Sequence, residues 1–242
     1  MKKEYWFIIM IYIAMQLSAI VGVPAILFLG NMLGYSFDEV AKIAPPLWIV
    51  ISFTITLLLT LWFLRKESKE MSMRNQAPLS TSIGWAIAGI PLEFIAQTVA
   101  ANIELMLGID MGSDNTQQIM SLIETSALVI IVVSIIGPIL EEIIFRKIIF
   151  GSLHKRLNFF LSALISSLIF SLAHGEIEHL LLYAAMGFTF AFLYVKTNRI
   201  LVPIIAHVAM NTFVVVIQLN MDKLEKYMTD LEMVQMIFSR LG

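Results

Sequence analysis

From Ser126 to Leu140 the chain carries no charged residue, and Glu141, Glu142, Arg146 and Lys147 then fall inside a continuation that is otherwise apolar as far as Phe150. A run of this kind has the length of a bilayer crossing, which takes about 20 predominantly apolar residues in a helix. A charged side chain at mid-depth costs roughly 2.5 to 3.5 kcal/mol on insertion scales, so Glu and Arg placed there face the protein interior and mark a functional site by default.

Composition places the remainder of the chain in the same solvent. It is 59% hydrophobic and 14% charged over 242 residues, with a mean hydropathy of +0.85, whereas a water-soluble domain is about half apolar and a quarter charged. The expected fold class is all-α, a polytopic transmembrane helical bundle of about seven to eight spans around a membrane-embedded active-site cavity. No basic stripe exists, so nucleic acid is excluded as a partner. With no cysteine, disulfides, thiolate nucleophiles and cysteine metal ligands are excluded as well.

In order, a first helix is expected from Trp6 to Leu29, kinked at Pro24, with Lys2 and Lys3 on the cytoplasmic side. Asn31 to Ala44 reads as a polar loop, and Pro45 and Pro46 open a second span ending near Leu64. The basic segment Arg65 to Pro78 is a cytoplasmic loop by the positive-inside rule. The third span, Ser82 to Leu107, places Glu93 and Gln97 on one face at i, i+4. Gly108 to Glu124 has acidic residues and no Lys or Arg, which suits an extracytoplasmic loop with a short interfacial helix from Gln117. In the fourth span Gly137-Pro138 predicts a break or kink, after which a fresh helical turn begins whose freed amides can face the carboxylates. The fifth runs from Asn158 to Ala173, and the turn His174 to His179 leads into the sixth, Leu180 to Val195, where Gly187 permits close helix contact. The seventh, Ile200 to Leu219, carries His207 and Asn211. Apolar residues at intervals of three and four predict an amphipathic helix at 221–239. The chain is read as a single domain over 1–242 with its motif-bearing core at 126–219.

Glu142 and Arg146 are i, i+4 neighbours and can pair, while Glu141 projects about 100° away along the helix and is available for chemistry. Counted from the basic helix ends at about 1.5 Å per residue, Glu142 lies roughly 20 Å deep, His174 roughly 24 Å, His207 roughly 12 Å and Asn211 roughly 18 Å. These depths allow one cavity. Such a set suits water activation: Glu141 and His174 can bind and deprotonate a water, and His207 with Asn211 can donate to a tetrahedral oxyanion. A metal site is the competing reading, since His174, His207 and a glutamate are three possible zinc ligands.

Three stretches of this core, Glu141-Glu142-Ile-Ile-Phe-Arg146, Phe170-Ser-Leu-Ala-His174 and His207-Val-Ala-Met-Asn211, resemble in order the motifs of the CPBP intramembrane proteases, which include the CAAX prenyl endopeptidases. The resemblance implies a membrane-embedded peptidase in which Glu141 and His174 activate water, Glu142 and Arg146 support Glu141, and His207 and Asn211 form the oxyanion hole. It implies a peptide or membrane-protein substrate and a multi-pass location in a bacterial cell membrane. Members have been described both as metalloproteases and as metal-independent glutamate peptidases; the spacing argued above favours the second, with no cofactor. Two other readings draw on the same residues: a non-catalytic immunity or peptide-binding protein, and a proton-coupled transporter using Glu93, Glu141 and Glu142 as relays.

Overall fold

The computed structural model describes residues 1–65, 76–110 and 112–221, together with Lys223, Lys226 and Tyr227. Most of the basic loop expected at Arg65 to Pro78 and most of the amphipathic helix expected at 221–239 lie outside the described residues. Among the described residues every regular element is helical.

The N-terminal apolar run forms two helices, α1 (Lys3–Leu17) and α2 (Ala19–Met32), bent by 51° at their junction. The bend is at Ser18 and not at Pro24, which lies inside α2. Ser18 donates its hydroxyl to the Met15 carbonyl at 2.6 Å and accepts the Trp48 indole N–H at 2.9 Å. A side chain that competes for backbone bonds and is held from outside bends a helix. Close packing fixes the angle, because a Cβ at Gly22 would come within 1.9 Å of the Trp48 ring.

Helix α3 spans Phe37–Leu64 and contains Pro45 and Pro46 instead of starting at them. Ser36 caps it by accepting the Glu39 N–H, and Asp38 and Glu39 place negative charge in the first turn. This cap, Ser36-Phe-Asp-Glu39, nucleates helix upstream of the prolines, within a stretch expected to be a loop.

Helix α4 (Leu79–Met106) and the short α5 (Asp114–Thr125) precede the central span, α6 (Leu128–Leu153). Gly137-Pro138 does not break α6. The helix is α-helical at Leu128–Ile131, π-helical at Val132–Ile136, α-helical at Gly137–Glu141 and π-helical at Glu142–Phe150. Pro138 has no N–H for the usual bond, and the Gly137 N–H reaches back to the Val132 carbonyl, a π-type link. The Glu142 N–H is bonded to the Pro138 and Ile139 carbonyls, so this amide is used by the helix and does not face a carboxylate.

Helices α7 (Phe159–His174), α8 (Leu180–Thr197) and α9 (Leu201–Leu219) complete the bundle. Helix α8 packs chiefly against α4 and α7, and α9 chiefly against α4. Among the described residues five helices are long and apolar enough to cross a membrane, six with the α1–α2 pair counted as one span, and α7 is a shorter apolar helix. The chain is an integral, multi-pass membrane protein. Its polarity is sorted accordingly: Ile20, Leu58, Ile87, Leu172 and Leu201 are exposed on the outside, while Glu93, Glu142, Arg146 and His207 are buried. Helix α6 is the central one, with 56% of its most apolar stretch buried against 11% for α3.

Candidate active site

The Glu pair straddles the α-to-π junction of α6 in the middle of the bundle, Glu141 ending the α-helical turn and Glu142 opening the second π-helical segment. π-Helical turns are uncommon and concentrate at functional sites. Side chains from other helices bond the backbone of both π segments. Asn211 on α9 donates to the Val133 carbonyl at 3.0 Å. Ser166 on α7 donates to the Phe145 carbonyl at 2.7 Å. These bonds fix the rotation of α6 against its neighbours, and with it the direction of each carboxylate.

Glu142 is fully buried. Its Oε1 accepts the His207 Nδ1–H at 3.0 Å and lies 3.3 Å from Arg146 Nη1. The Arg146 guanidinium is also buried, its Cζ standing 4.2 Å from the Phe170 ring centre and 5.1 Å from that of Phe190. Aromatic faces thus supply attraction to a cation that water cannot reach. His207 stacks on Phe190 at 4.6 Å and 21°, which sets its ring plane. With Nδ1–H given to Glu142, its Nε2 is 3.7 Å from Glu141 Oε2. Glu141 keeps 17% of its side-chain surface open, where Glu142 keeps none.

His174 ends α7 and is followed by Gly175, whose φ of 76° terminates the helix. Its Nδ1–H donates to the Phe170 carbonyl at 2.8 Å, which leaves Nε2 as the free ring nitrogen. The Phe170 ring meets His174 edge-on at 4.4 Å and His207 at 6.4 Å, so the motif phenylalanine touches both halves of the proposed set. The structure therefore joins Glu141, Glu142, Arg146 and His207 by direct polar contact. His174 is connected to them through Phe170, and Asn211 is turned toward the Val133 carbonyl.

Sequence reasoning did not anticipate the shell around His174. Tyr183 on α8 stacks on its ring at 4.3 Å and 30°. The Tyr183 hydroxyl donates to Glu176 Oε2 at 2.7 Å, and Glu176 also accepts from the Ser113 hydroxyl and, at 2.8 Å, the Asn115 N–H. Burial pushes the Glu176 carboxyl up, but these hydrogen bonds outweigh it and hold the group below the usual carboxylate value. Glu104, buried at the end of α4, accepts the His179 Nδ1–H at 3.0 Å and the Leu182 N–H at 2.9 Å. That bond raises the pKa of His179. The legible hint was Tyr183 itself, a polar tip in an apolar span, which needs a partner when buried.

A cavity of about 610 Å³ opens above this shell, lined by Asp110, Asp114, Gln117, His174, Glu176 and Glu178 among others. Of the predicted site residues, His174 alone lines it. Helix α7, with 16 residues, rises about 24 Å, less than the roughly 30 Å thickness of a bilayer's hydrocarbon core. Among the described residues no three His, Asp or Glu side chains are grouped closely enough to hold a metal ion.

A family model described as type II CAAX prenyl endopeptidase Rce1-like matches residues 123–213, a range that includes every predicted site residue. The Bacillus subtilis (strain 168) protein named "Putative membrane peptidase YdiL" is 49% identical over 238 residues, 97% of this chain and 98% of its own. "Membrane-embedded CAAX protease MroQ" of Staphylococcus aureus (strain USA300) is 35% identical over 203 residues, covering 79% of this chain and 81% of its own. "UPF0177 protein YxdF" of Lactococcus lactis subsp. lactis (strain IL1403) is 38% identical over 84 residues, 34% of this chain and 45% of its own. No solved structure matches the chain.

Proposed function

The chain belongs to the Rce1-like CAAX protease family, and from that premise we propose that it is an intramembrane endopeptidase that hydrolyses a peptide bond with a water activated by Glu141 and His174. One observation carries the reading. Of the two adjacent carboxylates, Glu142 is sealed and committed to Arg146 and His207, while Glu141 is partly open beside His207 Nε2.

In the proposed reaction the water is held by His174 Nε2 and gives a proton to the Glu141 carboxylate. The hydroxide oxygen bonds to the substrate carbonyl carbon, and the carbonyl π electrons move onto oxygen. Glu142, accepting the Nδ1–H of His207, keeps that ring with Nε2 directed into the site. The oxyanion then accepts hydrogen bonds from the second Nδ2–H of Asn211 and from His207, which donates through Nε2–H as the imidazolium, its Nδ1–H staying on Glu142. Collapse breaks the C–N bond, and the proton on Glu141 passes to the leaving amine. No metal is used. The substrate is a peptide or membrane-protein segment, and the cavity that His174 lines is the route for water.

Protein purified in detergent and incubated with a peptide library, read by mass spectrometry, tests this. Cleavage is expected, and its loss in Glu141→Ala and in His174→Ala with folding retained. Full activity in both variants would overturn the assignment.

A further inference from the structure

His174 occupies a weak position for a residue that must hold a water in place. It is the last residue of α7, at a helix end where backbone restraint is least, and it lines the polar cavity. Among the described residues its ring makes one hydrogen bond, to the Phe170 carbonyl, which fixes the tautomer but still allows the ring to swing about that bond. The edge of Phe170 blocks one side.

We propose that Tyr183, anchored by Glu176, is a positioning residue that closes a second side, beside the one Phe170 blocks, and sets the direction of His174 Nε2. This rests on the reading of His174 as the water-holding group. The Tyr183 ring covers the imidazole face at 4.3 Å, so with Phe170 it confines the ring from two directions. Packing alone would be satisfied by an apolar side chain. Instead the phenol is tied to a carboxylate at 2.7 Å, and that carboxylate is itself tied to Ser113 and the Asn115 N–H across the cavity mouth. The start of α8 is pinned next to it, because Glu104 accepts the Leu182 N–H and the His179 Nδ1–H. The ring is thus held at its backbone and at its hydroxyl, which is the requirement for an angular restraint rather than a filler. Catalysis responds steeply to such restraint, since a misplacement of about 1 Å costs on the order of 100-fold in rate.

The test compares Tyr183→Phe, Tyr183→Leu and Glu176→Gln with wild type, measuring kcat, KM and thermal midpoint in detergent. Tyr183→Leu, which removes stack and anchor, is expected to lower kcat on the order of 10- to 100-fold with KM little changed. Tyr183→Phe keeps the stack and recovers part of that loss. Adding Glu176→Gln to Tyr183→Phe costs no further kcat, because the two act through one bond. Wild-type kcat in Tyr183→Leu, a rise in KM alone, fully additive losses, or losses that track thermal midpoint would each overturn the proposal. Glu141→Ala and His174→Ala, run in parallel, separate the two claims. If both are inactive while the Tyr183 variants retain wild-type kcat, only the positioning role fails; if both are active, the function itself fails.

Discussion

His207 on α9 donates its Nδ1–H to Glu142 Oε1 on α6 at 3.0 Å, inside the bundle and out of reach of water. This bond makes Glu142 a shared anchor, because the same oxygen faces the buried Arg146. Removing Glu142 leaves a cation without a counter-charge. Glu142→Ala is therefore expected to destabilise the protein by about 3–5 kcal/mol, read as thermal midpoint and folded yield in detergent. Glu141→Ala leaves the midpoint near wild type and abolishes cleavage. Equal destabilisation by the two would contradict the division of roles.

Arg146→Lys is expected to behave as a disruptive change. The guanidinium lies over Phe170 at 4.2 Å and near Phe190 and Phe145, and a lysine cannot reproduce a planar stack. Loss of the aromatic contact costs about 1–2 kcal/mol. Thermal midpoints of Arg146→Lys and wild type, measured side by side, decide it, and an unchanged midpoint argues against the stack.

The Glu176 and His179 bonds titrate with opposite signs. The Glu176 pKa is lowered in the folded state, so its contribution is present above the ordinary value of 4.5 and is lost as pH falls through the folded value. The His179 pKa is raised, so its contribution is complete below the ordinary 6.5 and is lost as pH rises through the folded value. Resistance of the 174–179 turn to proteolysis should peak between about pH 4.5 and 6.5 and decline on both sides. In Glu104→Gln the alkaline decline should disappear; its persistence would show that another group is responsible.

Gly187→Ala tests the α7–α8 contact. An added Cβ would come within 2.3 Å of Ser167 Oγ and 3.0 Å of its Cα, so backbone must move. The expected loss is about 1–3 kcal/mol in thermal stability. Ser167→Gly combined with Gly187→Ala should recover part of it.

Exhaustive chelation separates water activation by side chains from metal catalysis. Under the proposed mechanism cleavage persists after dialysis against EDTA and phenanthroline, and elemental analysis finds no stoichiometric zinc. Loss of activity restored by added zinc would reassign His174, His207 and a glutamate as ligands.

Much of this was legible before any coordinates. The apolar runs and the scarcity of charge required a helical membrane bundle, and i, i+4 spacing alone predicted the pairing of Glu142 with Arg146. Gly187 marked a close helix contact because it lacks a side chain. The break in the first span was misread, since Pro24 is the visible helix breaker while Ser18 bends the helix only through Trp48, 30 residues away. The start of α3 was readable from Ser36-Phe-Asp-Glu39 but was masked by the prolines that follow.

By itself, then, the sequence determined the solvent, the helices and the contacts within a single helix, because helical rise and periodicity fix which neighbours a side chain can reach. The tertiary structure alone decided which carboxylate His207 grips, that the Glu pair of α6 sits at the junction of an α-helical and a π-helical segment, and that Tyr183 covers His174. Those contacts join residues on different helices. Their geometry depends on how each helix is rotated against the next, which packing at Gly187 and bonds such as Ser166 to Phe145 settle and no local periodicity records.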